Sequence, residues 1–224
     1  MSTDYNYRFK VILLGDSKVG KSSLVKRLVD ESFNNRYEET AFYDTVHKRV
    51  MTKDGDVVML HIFDTAGLDR FDSLQGSYFQ GASGFVIVFD YTRRETFKNV
   101  TKWIDQLRNR STIAEPTIVI LGNKIDIKDK SKIEVTEDDI QKLKETEKNI
   151  IVFDVSARTN INMKEAMETM SGQMVENTKK NQMVKGTRIS RISHLSTRGN
   201  LNFNNPMPEE MMGNREKSHK SVQL

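Results

Sequence analysis

The segment Gly15–Ser22 constrains this chain more than any other, because it matches the pattern G-x-x-x-x-G-K-[ST]. An apolar run at residues 9–14 precedes it and predicts a buried strand, and residues 21–31 are helix-forming. A glycine-containing turn between a strand and a helix points backbone N–H groups at an anion, and the helix N-terminus adds partial positive charge. The sequence therefore predicts a phosphate-binding loop in which Lys21 reaches the terminal phosphates and the Ser22 hydroxyl ligates Mg²⁺.

A second polar segment, Asp64-Thr-Ala-Gly67, ends the apolar run at residues 57–63. A carboxylate at the end of a strand can hold the Mg²⁺ shell, usually through water. Gly67 has no side chain, so its backbone N–H is open to a γ-phosphate. Asp64 and Gly67 are therefore predicted to lie beside the terminal phosphate.

A third polar segment, Asn123-Lys-Ile-Asp126, ends the apolar run at residues 117–122. The Asp126 carboxylate can accept two hydrogen bonds, which matches the N1–H and 2-amino donors of guanine; adenine lacks this pair. All three segments follow predicted strands, and the carboxyl edge of an open α/β sheet is where ligands bind. The sequence thus predicts a site for GTP and GDP with Mg²⁺, and Asp126 disfavours the alternative of an ATP-using kinase.

Strand and helix patterns alternate along the chain, which predicts an α/β fold with helices on both faces of the sheet. Asp54-Gly55 predicts a tight hairpin, so the second and third strands are expected to be antiparallel and the others parallel. We predict strands near residues 8–14, 44–52, 57–63, 84–90, 116–121 and 150–155, and helices near residues 21–31, 69–80, 95–110, 136–147 and 162–177. The expected architecture is a six-stranded, mostly parallel sheet with one antiparallel edge strand and five flanking helices. Trp103, on the third predicted helix, is interpreted as a residue of the hydrophobic core.

Composition divides the chain into three parts, which are predicted to be an N-terminal extension (1–7), a folded domain (8–177) and a basic tail (178–224). The N-terminus has no hydrophobic signal region, and the apolar stretches are too short to span a bilayer, so a cytoplasmic location is expected. The 224 residues include no cysteine, which excludes disulfides, thiolate metal sites and lipids attached through sulfur.

The tail carries nine Lys and Arg against three Glu, a net charge of +6, whereas the whole chain carries +4. Residues 1–177 are therefore slightly acidic, at net −2. One interpretation of the tail is a solvated, disordered segment that cannot bury enough apolar area to fold. The other is weak electrostatic contact with an anionic membrane. Nucleic acid is not expected as a partner, because the basic residues are thinly spread and Phe203 is the tail's one aromatic side chain.

Taken together, these motifs resemble a Ras-superfamily small GTPase, most similar to the Rab family, over residues 8–177. The matching segments are 15–23, 37–40, 64–71, 78–82, 122–126 and 156–158. The resemblance implies a P-loop NTPase fold and a monomeric switch that hydrolyses GTP slowly to GDP and phosphate. It also implies an exchange factor, a GTPase-activating protein and effectors that bind the switch regions. The expected roles are intracellular vesicle trafficking or signalling, with transient placement on endomembranes.

The resemblance assigns roles to further residues. Thr40 matches the switch threonine that joins the Mg²⁺ shell and meets the γ-phosphate. Phe33 matches an aromatic that packs on the guanine edge, although it could equally be a hydrophobic contact at the helix end. Lys124 is expected along the base, and the N–H of Ala157 is expected at guanine O6. The full set of predicted GTP contacts is Gly15, Asp16, Ser17, Lys18, Val19, Gly20, Lys21, Ser22, Ser23, Phe33, Thr40, Asp64, Gly67, Asn123, Lys124, Asp126, Ser156, Ala157 and Arg158. The predicted metal ligands are Ser22, Thr40 and Asp64, and the predicted catalytic set is Lys21, Thr40, Gly67 and Leu68.

Two departures from the family pattern bear on the chemistry. Leu68 stands where relatives carry the glutamine that orients the attacking water, and leucine offers neither a donor nor an acceptor. Lys18 stands where Rab proteins commonly have glycine, and it either adds a cation beside the phosphates or points to solvent. Two functions follow as alternatives: a switch that cycles between GTP and GDP, or a binding module that holds GTP almost permanently.

Overall fold

The computed structural model describes residues 4–32, 44–65 and 79–198. Within them six strands form one sheet: β1 (Tyr7–Leu14), β2 (Asp44–Met51), β3 (Val57–Asp64), β4 (Ala82–Asp90), β5 (Thr117–Asn123) and β6 (Ile150–Asp154). The α-helices of this part are α1 (Lys21–Asp30), α2 (Arg94–Arg110), α3 (Glu137–Thr146) and α4 (Met163–Arg198). The fifth helix, predicted over residues 69–80, falls almost entirely outside the described residues.

The strand order is β2-β3-β1-β4-β5-β6. Only the β2–β3 pair is antiparallel among these neighbours, and its turn is the predicted Asp54-Gly55. The six-stranded, mostly parallel sheet with an antiparallel edge strand is thereby confirmed. Parallel strands separated by crossovers bring their carboxyl ends to one edge, so the residues that follow β1, β3, β4 and β5 meet there.

The central strands β4 and β5 are buried along almost their whole length. Helices cover both faces of these strands, which explains why both read as continuous apolar runs. By contrast, β3 alternates between buried and half-buried residues, as expected of a strand with one covered face. The core consequently forms two layers, one on each side of the sheet, and α2 contributes Val100, Trp103, Ile104 and Leu107 to one of them.

The last helix is longer than the sequence predicts. We expect it to end near residue 177, yet α4 continues to Arg198, so the predicted end of this helix is wrong. The stretch from 178 to 198 contains no proline and a single glycine, Gly186, among good helix formers such as Lys, Arg, Gln and Met. Compactness divides the chain into two units, Met1–Lys180 and Asn181–Leu224. In the described part, no helix combines the length and the apolar content needed to cross a bilayer.

Candidate nucleotide-binding site

The predicted phosphate loop, residues 15–20, connects β1 to α1. Gly15 and Gly20 have φ angles of 132° and 99°, which L side chains rarely adopt. A Cβ atom on Gly15 would lie 2.3 Å from the Val88 carbonyl oxygen, and one on Gly20 would lie 2.4 Å from Asn123 Nδ2. Both positions therefore require glycine, for backbone conformation and for space.

Every carbonyl from residue 15 to residue 19 accepts a hydrogen bond from a side chain. Lys21 Nζ donates to the carbonyls of Gly15 and Asp16, at 2.8 Å each. The next three carbonyls are held by Arg93 Nη2 on Ser17 at 2.8 Å, Lys124 Nζ on Lys18 at 3.3 Å and Asn123 Nδ2 on Val19 at 2.9 Å. With its carbonyls held from outside, the loop can present its N–H groups to an anion.

The carboxylate of Asp16 is held by α2. It accepts hydrogen bonds from Asn99 Nδ2 at 2.7 Å and from Trp103 Nε1 at 3.0 Å. Trp103 is core packing, as predicted, but its indole N–H also anchors the phosphate loop. Because the carboxylate is held in this way, the GTP contact predicted for Asp16 would have to come from its backbone.

Lys21 lies in the first turn of α1 and is only 6% exposed. Burial lowers the pKa of its ammonium group to about 8, against the opposing attraction of Asp64 and Asp16, and the positive charge of Arg93 lowers it further. Asp64 is 2% exposed at the end of β3, and the neighbouring Thr65 hydroxyl donates to the Leu13 carbonyl at 2.6 Å. A buried cation facing a buried carboxylate is suited to phosphate on one side and a metal ion on the other.

The other predicted phosphate-loop residues differ in exposure. Ser22 and Ser23 are half-buried in the first turn of α1, the position from which the Ser22 hydroxyl is predicted to meet a metal. Lys18 is exposed, with a left-handed φ of 64°. Val19 is fully buried and contributes to the core.

The predicted base-binding residues follow β5 and β6. Asn123 Oδ1 accepts from the backbone N–H of Lys124 at 2.8 Å and from that of Ala157 at 3.2 Å. Asp126 is half-buried, and one of its oxygens accepts from the Ser156 hydroxyl at 2.7 Å. The sequence prediction that these residues share one site is consistent with this geometry, and Asn123 also joins them to the phosphate loop.

Asp90 is a functional residue that the sequence analysis missed. Its side chain is 1% exposed and accepts from Lys124 Nζ at 2.6 Å, from Arg93 Nε at 3.2 Å and from both the N–H and the hydroxyl of Thr92. Burial alone raises the pKa of this carboxyl, but the hydrogen bonds from Lys124 and Thr92 outweigh it and the pKa is lowered. The sequence did contain a signal for Asp90. This residue ends an apolar strand, as Asp64 and Asn123 do, and the same argument would have placed it at the carboxyl edge of the sheet.

Arg27 is a second missed residue. From α1 its guanidinium donates to the Ala157 carbonyl at 2.8 Å and to the Arg158 carbonyl at 2.9 Å. These bonds fix the loop whose Ala157 N–H is predicted to meet the base, while the Arg158 side chain is exposed. Nothing in the local sequence around Arg27 indicates this contact, because its partners are about 130 residues away.

Phe33, Thr40, Gly67 and Leu68 lie outside the described residues, and their predicted roles stay predictions. The described residues nevertheless fit a nucleotide with a divalent metal. Two glycines give the loop the backbone conformation that it needs to turn its N–H groups toward an anion. The loop carbonyls are held by protein donors, and the buried Lys21 faces Asp64.

Comparison with known proteins decides the family. The Ras family model matches residues 10–176. This chain belongs to the Ras family. It is 36% identical to the GTP-binding protein ypt1 of Schizosaccharomyces pombe, over 79% of this chain and 84% of that protein. It is 37% identical to the Ras-related protein RABD1 of Arabidopsis thaliana (78% and 82% covered) and 34% identical to human Rab-27B (92% and 96% covered). As a small GTPase of this family the protein binds guanine nucleotide and hydrolyses GTP.

Proposed function

We propose that the protein is a Rab-like molecular switch, which binds GTP or GDP with Mg²⁺ and recruits effectors in intracellular vesicle trafficking or signalling. The single observation that carries this proposal is the set of five consecutive loop carbonyls held by side chains from α1, β5 and the segments after β4 and β5. A loop restrained on all sides is prepared for a polyphosphate and needs little reorganisation to bind it.

Each group has a role in this proposal. The N–H groups of the phosphate loop and Lys21 hold the phosphates, while Asp126 accepts from the guanine N1–H and 2-amino groups. Ser22, Asp64 and Thr40 would hold the metal, which neutralises phosphate charge. The buried setting of Lys21 and Asp64 supports this assignment, since charge–charge interactions are stronger away from water.

Leu68 decides between two versions of this proposal, which differ in the rate of GTP hydrolysis. Its side chain provides no group to orient the attacking water. In this superfamily unaided hydrolysis is on the order of 10⁻⁴ per second, and an activating protein adds up to ~10⁵-fold. We propose slow, partner-dependent hydrolysis. The alternative, favoured by Leu68, is an effector-recruiting module that remains in the GTP state.

Single-turnover hydrolysis separates these alternatives. The protein as it stands is compared with Leu68→Gln, with Mg²⁺ and without an activating protein. We expect clear acceleration in the Gln variant and unchanged GTP affinity. Equal rates would mean that another group positions the water, and the constitutive module would lose its support. The nucleotide that co-purifies tests the wider proposal, which requires GTP or GDP; bound adenine nucleotide contradicts it.

The proposed partners are an exchange factor, an activating protein and effectors, all acting on a monomer. We propose a cytoplasmic location with transient endomembrane contact aided by the basic residues after 178. Without a lipid such contact is weak and sensitive to salt. Sedimentation with anionic and neutral liposomes at two salt concentrations tests it, and salt-resistant binding to neutral liposomes contradicts it.

A further inference from the structure

Arg27 of α1 holds the loop that follows β6, residues 155–158, which we call the base loop. Its Nε donates to the Ala157 carbonyl at 2.8 Å, and its Nη2 donates to the Arg158 carbonyl at 2.9 Å. Through Nη1 it also donates to the carbonyl of Glu31, the residue that ends α1 in a left-handed conformation. A planar guanidinium presents its N–H donors in a fixed fork, whereas a lysine ammonium acts as a point charge. Arg27 can therefore hold the base loop and the end of α1 in one arrangement.

The base loop in turn orients the two side chains that are predicted to recognise guanine. Ser156 Oγ donates to Asp126 Oδ1 at 2.7 Å, and the Ala157 N–H donates to Asn123 Oδ1 at 3.2 Å. Ser156 and Ala157 are only 0% and 3% exposed, so water competes little for these bonds. The orientation of Asp126 and Asn123 consequently depends on the position of the base loop.

Helix α1 joins this loop to the phosphate end of the site. It begins at Lys21, whose ammonium group donates to two phosphate-loop carbonyls. Arg27 follows six residues later, a rise of about 9 Å along the helix. The backbone hydrogen bonds of the helix fix this rise. The phosphate loop and the base loop are thus held by opposite ends of one rigid element.

We infer that Arg27 is a positioning residue for guanine. By holding the base loop, it keeps the Asp126 carboxylate where both guanine donors can meet it. The inference rests on the proposed function in one respect, namely that Asp126 accepts from the guanine N1–H and 2-amino groups. It adds a residue outside the sequence motifs that sets how well the site distinguishes guanine from a base without the 2-amino group.

Competition between GDP and inosine diphosphate, which lacks the 2-amino group, tests the inference on the full chain with Mg²⁺. In Arg27→Gln we expect GDP to bind about tenfold more weakly, because two hydrogen bonds from a charged donor to the base loop are lost. Inosine diphosphate makes less use of Asp126, so its affinity should fall only about threefold. The preference for GDP should therefore shrink by about threefold, whereas a merely structural role would weaken both nucleotides equally.

Arg108→Gln is the matched control. Arg108 also donates from a helix, α2, to a distant segment, with Glu147 Oε2 at 2.8 Å and the Lys148 carbonyl at 3.4 Å. Its removal takes away the same charge and a similar set of contacts far from the base loop. Both nucleotide affinities should stay within about twofold of the unchanged protein.

Arg27→Lys separates the geometry of the guanidinium from its charge. Lysine keeps the positive charge but not the fork, so it should recover only part of the GDP affinity. Full recovery would mean that the charge acts on the phosphates from a distance, and the positioning role would be wrong.

A double-mutant cycle with Ser156→Ala gives a second readout. This change removes the hydroxyl donor to Asp126. Because Arg27 is inferred to act through the base loop, the two changes should not add. The preference for GDP in the double variant should lie within about twofold of that in Ser156→Ala alone. Additive losses would place the effect of Arg27 elsewhere and refute the inference.

Three further results would overturn the inference: unchanged GDP affinity in Arg27→Gln, equal losses for the two nucleotides, or the same change of preference in Arg108→Gln. The measurements also separate it from the proposed function. A preference for GDP that is present and equal in the unchanged protein and in Arg27→Gln defeats this inference and leaves the proposed function standing. No preference in the unchanged protein contradicts the role of Asp126 and hence both.

Discussion

The phosphate loop and one exposed face of the sheet use positive charge in opposite ways. In the loop, Lys21, Lys124 and Arg93 each donate to specific carbonyls, and Asp90 holds two of these three cations. The other region, which we call the basic face, is defined by Arg8 of β1 and Arg49 of β2, which lie in one row across the sheet. Both arginines are exposed and lack a carboxylate partner among the described residues. The first region fixes its geometry before any ligand arrives. The second keeps the charges of Arg8 and Arg49 exposed to solvent.

This contrast explains how each region responds to substitution. A phosphate and a base need groups at fixed positions, because misplacement of a hydrogen bond in a dry site is costly. Exposed charges without a fixed partner are solvated by water, so each contributes little to the stability of the folded protein. Substitutions in the loop network should therefore have large effects, and substitutions on the basic face should have small effects on the folded protein itself.

The largest effect is expected for Asp126→Asn, since an amide cannot accept from both guanine donors. A site built to hydrogen-bond a group rejects analogues that mismatch it by roughly 10⁴-fold. We expect at least a hundredfold loss of GTP affinity and a gain of xanthosine triphosphate binding, measured by nucleotide competition. The gain shows that the variant is folded, and undiminished GTP affinity would refute the role of Asp126.

The next effect is expected for Asp90→Asn, which leaves Lys124 and Arg93 without their shared anion. We expect a loss of about 2–3 kcal/mol in the free energy of unfolding, measured in denaturant, and faster nucleotide release. Asp105→Asn, an exposed aspartate on α2, is the control and should change stability little. Equal losses in both variants would contradict a specific role for Asp90.

Asp90 also predicts the direction of a pH effect. Its pKa is lowered in the folded protein, so its stabilising contribution is present above the pKa of an unfolded aspartate, about 3.9. The contribution is lost as the pH falls through the folded value. The stability of Asp90→Asn should accordingly depend less on pH than that of the unchanged protein in this acidic range.

A smaller effect of the opposite sign is expected for Lys18→Gly. Lys18 has a left-handed φ of 64°, and relief of that strain outweighs the greater conformational entropy that glycine has in the unfolded chain. The net gain should be about 0.5–1 kcal/mol, seen as a higher Tm. Lys18→Ala removes the same charge but keeps the strain, so it should bring no such gain. A gain in both variants would assign the effect to charge.

The smallest effect is expected for Arg49→Gln on the basic face. Because Arg49 is exposed and makes no ion pair within the described residues, stability should stay within about 0.5 kcal/mol of the unchanged protein. GTP affinity should also be unchanged. A substantial loss of either would mean that the basic face belongs to the same network as the loop, and the contrast would fail.

The sequence predicted where the strands end and that the loop glycines, Lys21 and Asp126 follow them, because these positions depend on local pattern and on the edge of a parallel sheet. The roles of Lys21 and Asp126 in nucleotide binding stay predictions. The sequence did not predict the long-range hydrogen bonds that hold the phosphate loop in place. Arg93 reaches Ser17 across 76 residues, and the Trp103 indole reaches Asp16 across 87. Such contacts depend on how α2 sits against the loop, which no local pattern contains. In the same way, apolar periodicity identified Trp103 as a core residue but gave no sign that its indole N–H donates to Asp16.

The side chain of Asn123 has a kinetic consequence. Its amide donates to Val19 in the phosphate loop and accepts from Ala157 in the predicted base loop. The two loops are therefore coupled through one side chain, and movement of either loop releases a bond that keeps Asn123 in place for the other. Dissociation is expected to follow a single exponential, with base and phosphates leaving together rather than through a lasting half-bound intermediate. A protein that displaces only one of these loops should then accelerate release of the entire nucleotide.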